Sequence, residues 1–181
     1  DIGLESIGVL TERGAIVTDR YGKTNVPGVY AAGDVNGKSM LAHTAYRESE
    51  VAVNHILGKK DKMRYNAIPA VIYTDPEVAS VGESKQSAEA KGMNVKEVKL
   101  PMMFSGRYVA ENQGGKGFIK LVVDVDKKRL VGCHMVGNYS SEIIMTAAMM
   151  IDTELPPERL KKLVFPHPSV SEIIREAIFH I

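Results

Sequence analysis

Apolar residues recur along this chain with two different spacings. Between Met40 and Gly58, the apolar positions Leu41, Ala45, Val51, Ala52 and Ile56 follow the spacing of one helical face, and Gly58 closes the segment. Before it, GAIVTD (residues 14–19) and GVYAAGD (28–34) predict short strands, joined by RYGKTNVP with its glycine and proline turn signals. From about Tyr65 the character changes. AVIYT (70–74) predicts a strand, and SKQSAEAKG (84–92) a short helix ended by glycine. NVKEVKL, GFIKLVVDV and RLVGCHMVG predict three more strands, the last two joined as an antiparallel hairpin by the charged DVDKKR. Residues 140–152 predict a helix that is apolar nearly all round and therefore buried. ELPPERLKKLV predicts a short helical segment with proline at its start, and PSVSEIIREAIF a last helix. Antiparallel strands followed by helices imply an α+β fold, an antiparallel sheet with helices packed on it. The charged GKKDKMR (58–64) is the linker candidate, which divides the chain into residues 1–60 and 64–181.

Composition narrows the function classes more than it selects one. The 181 residues are 44% hydrophobic and 25% charged, enough for a sizeable core. A formal net charge of +1 gives no reason to expect nucleic acid or an acidic membrane surface. The longest uncharged apolar run, IIMTAAMMI (143–151), falls far short of the roughly 20 residues that span a bilayer. No signal peptide is visible. The single cysteine, Cys133, excludes an internal disulfide and a Cys-rich metal site, and its apolar surroundings predict a buried, inert thiol. The chain opens on DIGLESIGV without an initiator methionine, which reads as the middle of a longer sequence.

Two short stretches carry candidate chemistry. In TNVPGVYAAGDV a strand would deliver Gly33 and Asp34 to its carboxyl end, where open α/β sheets bind ligands. Gly33 permits close backbone approach, and Asp34 offers a carboxylate to a sugar hydroxyl. A helix starting near Ser39 or Met40 would aim its first amides at the same region. The plainer alternative has Asp34 shaping a turn, Ser39 capping the helix and His43 as an ordinary residue of its first turn.

The second stretch is FPHPSVSE (165–172). Pro168 suits a helix start and disfavours helical backbone at His167, so the imidazole would stand at the helix mouth. Ser169 and Glu172 have the spacing of a capping box, which alone would explain the glutamate. Alternatively Glu172 accepts a hydrogen bond from one ring nitrogen of His167, fixes the tautomer and leaves the other nitrogen to exchange a proton with a thiol.

Whole phrases go further than spacing. TNVPGVYAAGDV followed by MLAHTA closely resembles the second flavin-binding segment of the pyridine nucleotide–disulfide oxidoreductases, and HPSVSE resembles their carboxyl-terminal H-P-T-x-S-E signature. IPAVIYTDPEVASVG, FSGRYVAENQGGKGFIKLVVD and LVGCHMVGNYSSEII resemble the interface domain of the lipoyl branch, the dihydrolipoyl dehydrogenases, so the likeness covers essentially the whole chain. It departs at Phe165, where that branch commonly has a second histidine, and at Ser169 in place of threonine.

The resemblance implies the tail of an FAD-binding α/β domain followed by an interface domain. It assigns Asp34 to the ribityl chain of FAD, and Met40, Leu41, Ala42 and His43 to the edge of the flavin ring. His167 becomes the acid–base catalyst and Glu172 its orienting partner, with the His–Pro bond cis. It implies a homodimer formed through the 140–152 helix and the sheet beneath it. The full-length enzyme would use FAD and NAD and oxidise dihydrolipoyl groups of 2-oxoacid dehydrogenase complexes. It would work in the cytoplasm, or in the mitochondrial matrix of a eukaryote. The G-x-G-x-x-G loops and the redox cysteine pair are absent from this sequence, so this chain by itself is expected to be inactive and to retain no cofactor. The alternatives are a non-catalytic dimerisation or docking module and another disulfide reductase of the glutathione or mercuric type. Asp75, Glu77, Arg107 and Glu111 are expected to be surface or interface charges, and His55, His134 and His180 a surface, a core and a terminal histidine. Met145, Met149 and Met150 are expected to pack within their helix.

Overall fold

In the computed structural model, which describes residues 2–181, contacts divide the chain between Tyr65 and Asn66. The first unit opens with a short 3₁₀ turn and a hairpin of β1 (Thr11–Glu12) and β2 (Ala15–Ile16). Its two-residue loop, Arg13 and Gly14, has φ of 51° and 83°, the positive values that match a tight turn to strand twist. α1 (Ala42–Ile56) buries Thr44, Glu48, Val51 and Ala52 on one side. A small cluster of Val9, Ile16 and Ala31 forms the other apolar centre of this unit.

Two expectations for this unit need correction. Residues 28–34 form no ladder strand; they touch Lys23 through a single bridge at Tyr30, and Ala31 N–H donates to the Gly22 carbonyl. An apolar run becomes a strand only where another strand satisfies its backbone. The helix begins at Ala42 instead of Ser39 or Met40, because Leu41 is extended at φ −135°, ψ 133°. Ser39 does not cap it; its hydroxyl is paired with the Thr44 hydroxyl at 2.9 Å.

The second unit, Asn66–Ile181, is built on five antiparallel strands. These are β3 (Pro69–Ile72), β4 (Val78–Gly82), β5 (Val95–Pro101), β6 (Phe118–Asp124) and β7 (Arg129–Val136), in the spatial order β3-β4-β7-β6-β5. The β6–β7 hairpin is the one that DVDKKR predicts. β4 escapes sequence reading, since VASVG is short, sets Ala, Ser and Gly beside its two valines, and follows closely on Pro76. It fits because Gly82 faces Gly132 across the ladder: a Cβ on Gly132 would come within 1.8 Å of the Glu83 carbonyl oxygen.

Alternation then places Ala79, Val81, Ile119, Leu121, Cys133 and Met135 in one core with residues of the following helices. Those helices are α2 (Lys85–Ala90), α3 (Gly106–Glu111), α4 (Ser140–Thr153), α5 (Pro157–Leu160) and α6 (Glu172–Phe179). α2 covers the opposite face at Val122 and Val131 through Ala88, while α4 and α6 cover the main core. The antiparallel sheet with packed helices is the architecture expected.

α4 is not buried all round. Ser140, Ile144, Ala147, Ala148, Met150 and Ile151 are enclosed, but Met145 and Met149 are 53% and 58% exposed. One turn apart, those two methionines share a face that nothing in this unit covers. Edge strand β3 leaves Ile72 exposed as well. No helix among the described residues is long and apolar enough to cross a membrane.

Candidate functional site

The stretch 165–172 is held from both ends. Phe165 packs against the main core, and α6 anchors the other end by burying Ile173, Ile174, Ala177 and Ile178. Between them Ser105, 1% exposed at the start of α3, donates its hydroxyl to the Ser169 carbonyl at 3.0 Å. The His167–Pro168 bond is cis, as is Asp75–Pro76. His167 lies outside the helix, with its side chain 80% exposed.

His167 and Glu172 are brought together. Nδ1 lies 2.9 Å from Oε1 and 3.2 Å from Oε2 of Glu172, whose side chain is 19% exposed. An ionised carboxylate only accepts, so Nδ1 carries the proton and a neutral ring leaves Nε2 as a base. The same carboxylate accepts the Ser169 backbone N–H at 2.9 Å. That bond first, and the His167 ring second, hold the Glu172 carboxyl below its ordinary pKa. The capping box itself does not close. The Ser169 hydroxyl donates to the Pro166 carbonyl at 2.6 Å, and α6 starts three residues later, at Glu172. The two readings of Glu172 are therefore not exclusive, since one carboxylate serves both the turn and the imidazole.

In the first unit a separate groove of about 480 Å³ runs beside the β1–β2 hairpin, lined by residues 12–18 together with Asp34, Asn36, Gly37, Lys38 and Met40. Asp34 begins a 3₁₀ turn, Asp34–Asn36, and is exposed. Leu41, Ala42 and His43 are outside the lining, continuing into the first turn of α1. The Thr18 hydroxyl, buried without a hydrogen-bond partner, belongs to the groove wall. Lys38, also in the wall, donates to the Thr18 and Asp19 carbonyls at 2.8 and 2.9 Å. An exposed carboxylate in the wall of such a groove suits a polyhydroxylated chain such as ribityl. Sequence reasoning missed Thr18, Lys38, Ser105 and Glu48, because their importance lies in contacts with distant residues.

The remaining marked residues have mostly structural tasks. Glu77, just before β4, accepts the Ser141 N–H at 2.9 Å and so caps α4 from a distant segment, while Arg107 pairs with Glu111 along α3. His55 is half-buried instead of on the surface, stacked on Tyr21 with centroids 4.6 Å apart and paired with the Tyr30 hydroxyl at 2.8 Å. His134 is half-buried, its Nε2 bound to the Glu83 carbonyl at 3.0 Å, and His180 is exposed at the end of α6. Burial pushes the Cys133 thiol up to about 12, which makes it inert. Of the three methionines, Met150 alone is packed.

Residues 68–178 match the dimerisation domain of pyridine nucleotide-disulphide oxidoreductases, and residues 1–49 match the pyridine nucleotide-disulphide oxidoreductase domain model. The chain therefore belongs to the pyridine nucleotide-disulphide oxidoreductase family and carries its dimerisation domain. It is similar to the dihydrolipoyl dehydrogenases of Rhizobium etli and Chlamydia muridarum, each 38% identical over 98% of this chain. Among solved structures, LpdA from Mycobacterium tuberculosis superposes with a TM-score of 0.90 at 28% identity, covering 99% of this chain and 39% of that one. The HOCl-induced flavoprotein disulfide reductase RclA from Escherichia coli does so with a TM-score of 0.83 at 28% identity, covering 97% and 41%. This chain spans 37% and 38% of the length of the two dehydrogenases.

Proposed function

We propose that the chain is the interface part of a flavin-dependent dihydrolipoyl dehydrogenase, supplying the dimer contact and the acid–base pair His167 and Glu172. The observation that carries this reading is the 2.9 Å contact between His167 Nδ1 and Glu172 on an exposed loop. A base intended for its own chain's core would not stand in solvent, whereas one serving a partner's sulfur atoms must.

In this reading a dihydrolipoyl thiol gives its proton to His167 Nε2. The thiolate attacks one sulfur of a disulfide supplied by another part of the enzyme, forming a mixed disulfide as the S–S bond breaks and the other sulfur leaves as a thiolate. Glu172 stabilises the imidazolium that results, and the proton returns to a sulfur when the exchange reverses. Asp34 would hold the ribityl chain of FAD, and Met40, Leu41, Ala42 and His43 would lie along the ring. Bound FAD would take electrons from the reduced disulfide, and NAD would receive them. The apolar face left open at Met145 and Met149 is the surface a second copy covers, since soluble monomers rarely expose contiguous apolar area. Residues 1–60 thus serve the flavin and residues 64–181 the dimer, in the cytoplasm or mitochondrial matrix.

Combining the chain with the flavin- and nucleotide-binding portion of its longer relatives, FAD, NAD and dihydrolipoamide tests this. The native chain should support turnover, and His167→Ala should lower it roughly 10²–10⁴-fold. Undiminished turnover in that variant overturns the catalytic assignment. A sedimentation measurement at micromolar concentration should give a dimer, and a monomer would remove the interface role. The likeness to RclA supports a second reading, a disulfide reductase with another substrate; turnover with a different disulfide but not dihydrolipoamide would favour it.

A further inference from the structure

The turn that presents Asp34 is held by a carboxylate in the middle of α1. Glu48 is 2% exposed. Its Oε2 accepts the Gly33 backbone N–H at 2.6 Å and the Asn36 side-chain N–H at 2.8 Å. Its Oε1 accepts the Tyr65 hydroxyl at 2.7 Å. A carboxylate removed from water is costly unless donors converge on it, and here three do.

Two of those donors bracket Asp34, one residue before it and two after. Gly33 sits at φ 82°, ψ −161°, a backbone conformation that favours glycine, so its amide has a fixed direction and that direction ends on Glu48. A Cβ at Gly33 would meet the Ala45 methyl at 3.2 Å, which places the turn directly on α1. The Asn36 side-chain Oδ1 accepts the Lys38 backbone N–H at 2.9 Å, and Lys38 in turn lines the groove. Glu48 thus connects the helix to both ends of the segment that carries the groove's acidic side chain.

We propose that Glu48 is a positioning residue for flavin: by drawing Gly33 and Asn36 onto one carboxylate, it aims the Asp34 side chain into the groove and sets the affinity for the ribityl chain. This rests on the flavin reading above. Glutamine is the informative replacement. Its amide oxygen can keep Gly33 and Asn36 only with its NH₂ turned to the Tyr65 hydroxyl, which then accepts, and the bonds to the turn lose the carboxylate's charge. Tyr65→Phe removes one donor while leaving the Gly33 and Asn36 contacts intact.

Two measurements test the proposal. In the chain without flavin, nitrogen-15 NMR of E48Q should shift the Gly33 amide upfield and raise fast backbone mobility at residues 33–37. Exchange protection in the centre of α1 and in the β1–β2 hairpin should stay native. In the reconstituted enzyme, flavin fluorescence should show E48Q binding FAD about tenfold more weakly or worse, and Y65F within about twofold of native. Native FAD affinity in E48Q overturns the proposal. So does a loss of protection spread through α1 and the hairpin, which would mark Glu48 as a general core group. If the native protein takes no FAD, the flavin reading falls and the affinity claim with it, while the Gly33 amide still decides whether Glu48 orders the turn.

Discussion

His167 and Asp34 are positioned by carboxylates, but at very different range. Glu172 reaches its histidine across five residues, on an exposed loop leading into a helix. Glu48 reaches Gly33 across fifteen residues and is almost fully enclosed. The first arrangement is local and depends on where one helix begins. The second exists only when a helix and a turn have come together, with Tyr65 adding a third donor. A local pair withstands changes elsewhere but gains little from burial. A buried hub gives precise placement and is exposed to every change in the packing around it.

Several experiments can break or sharpen that contrast. The largest expected effect is the loss of roughly 10²–10⁴-fold in reconstituted turnover for His167→Ala, because it removes the proposed base itself. Next, Ile174→Ala, in the fully buried face of α6, should lower stability by about 2–5 kcal/mol in urea denaturation. If the His167–Glu172 pair is truly local, turnover per folded molecule should change much less than stability. A parallel drop in both would mean that the pair depends on the core as heavily as the Glu48 turn does.

Smaller effects probe each side separately. Thr18→Val should raise the stability of the flavin-free chain by about 1 kcal/mol, since a buried hydroxyl without a partner is replaced by a methyl of similar size. The same variant should leave FAD binding unchanged, because that oxygen has no exposed surface, and weakened binding would show that the groove opens onto it. Glu172→Ala should destabilise by roughly 0.5–2 kcal/mol through the lost Ser169 contact, read from the denaturation midpoint.

The pH dependence of that contribution follows from its depressed carboxyl. It is fully present above the ordinary value of 4.5 and is lost as pH falls through the lower folded value. The native and Glu172→Gln midpoints should therefore converge in acid, and a constant gap down to the lowest pH would contradict the linkage. Finally, Cys133 should resist alkylation at neutral pH while the chain is folded, its thiol being raised to about 12 by burial.

Much of the sheet was legible because its strands alternate: β5, β6 and β7 keep one face apolar, and DVDKKR marks the hairpin between the last two. β4 was not, because Ala79, Ser80 and Gly82 signal a strand only once β3 and β7 flank them. The pairing of His167 with Glu172 could be suggested from six residues, since a proline and a helix start leave few directions for either side chain. The buried role of Glu48 could not. In sequence it is one charged position within YRESE, on a helix whose exposed side also carries Arg47 and Glu50.

The amino-acid order alone determined the local quantities: where the longer helices lie, where the hairpin turn falls, and that a histidine and a carboxylate share one short loop. Tertiary structure decided which polar groups lost their water. Glu48 and Thr18 are ordinary residues in an extended chain. They acquire their significance because desolvation depends on what packs around an atom, and that is fixed by contacts between residues far apart in sequence.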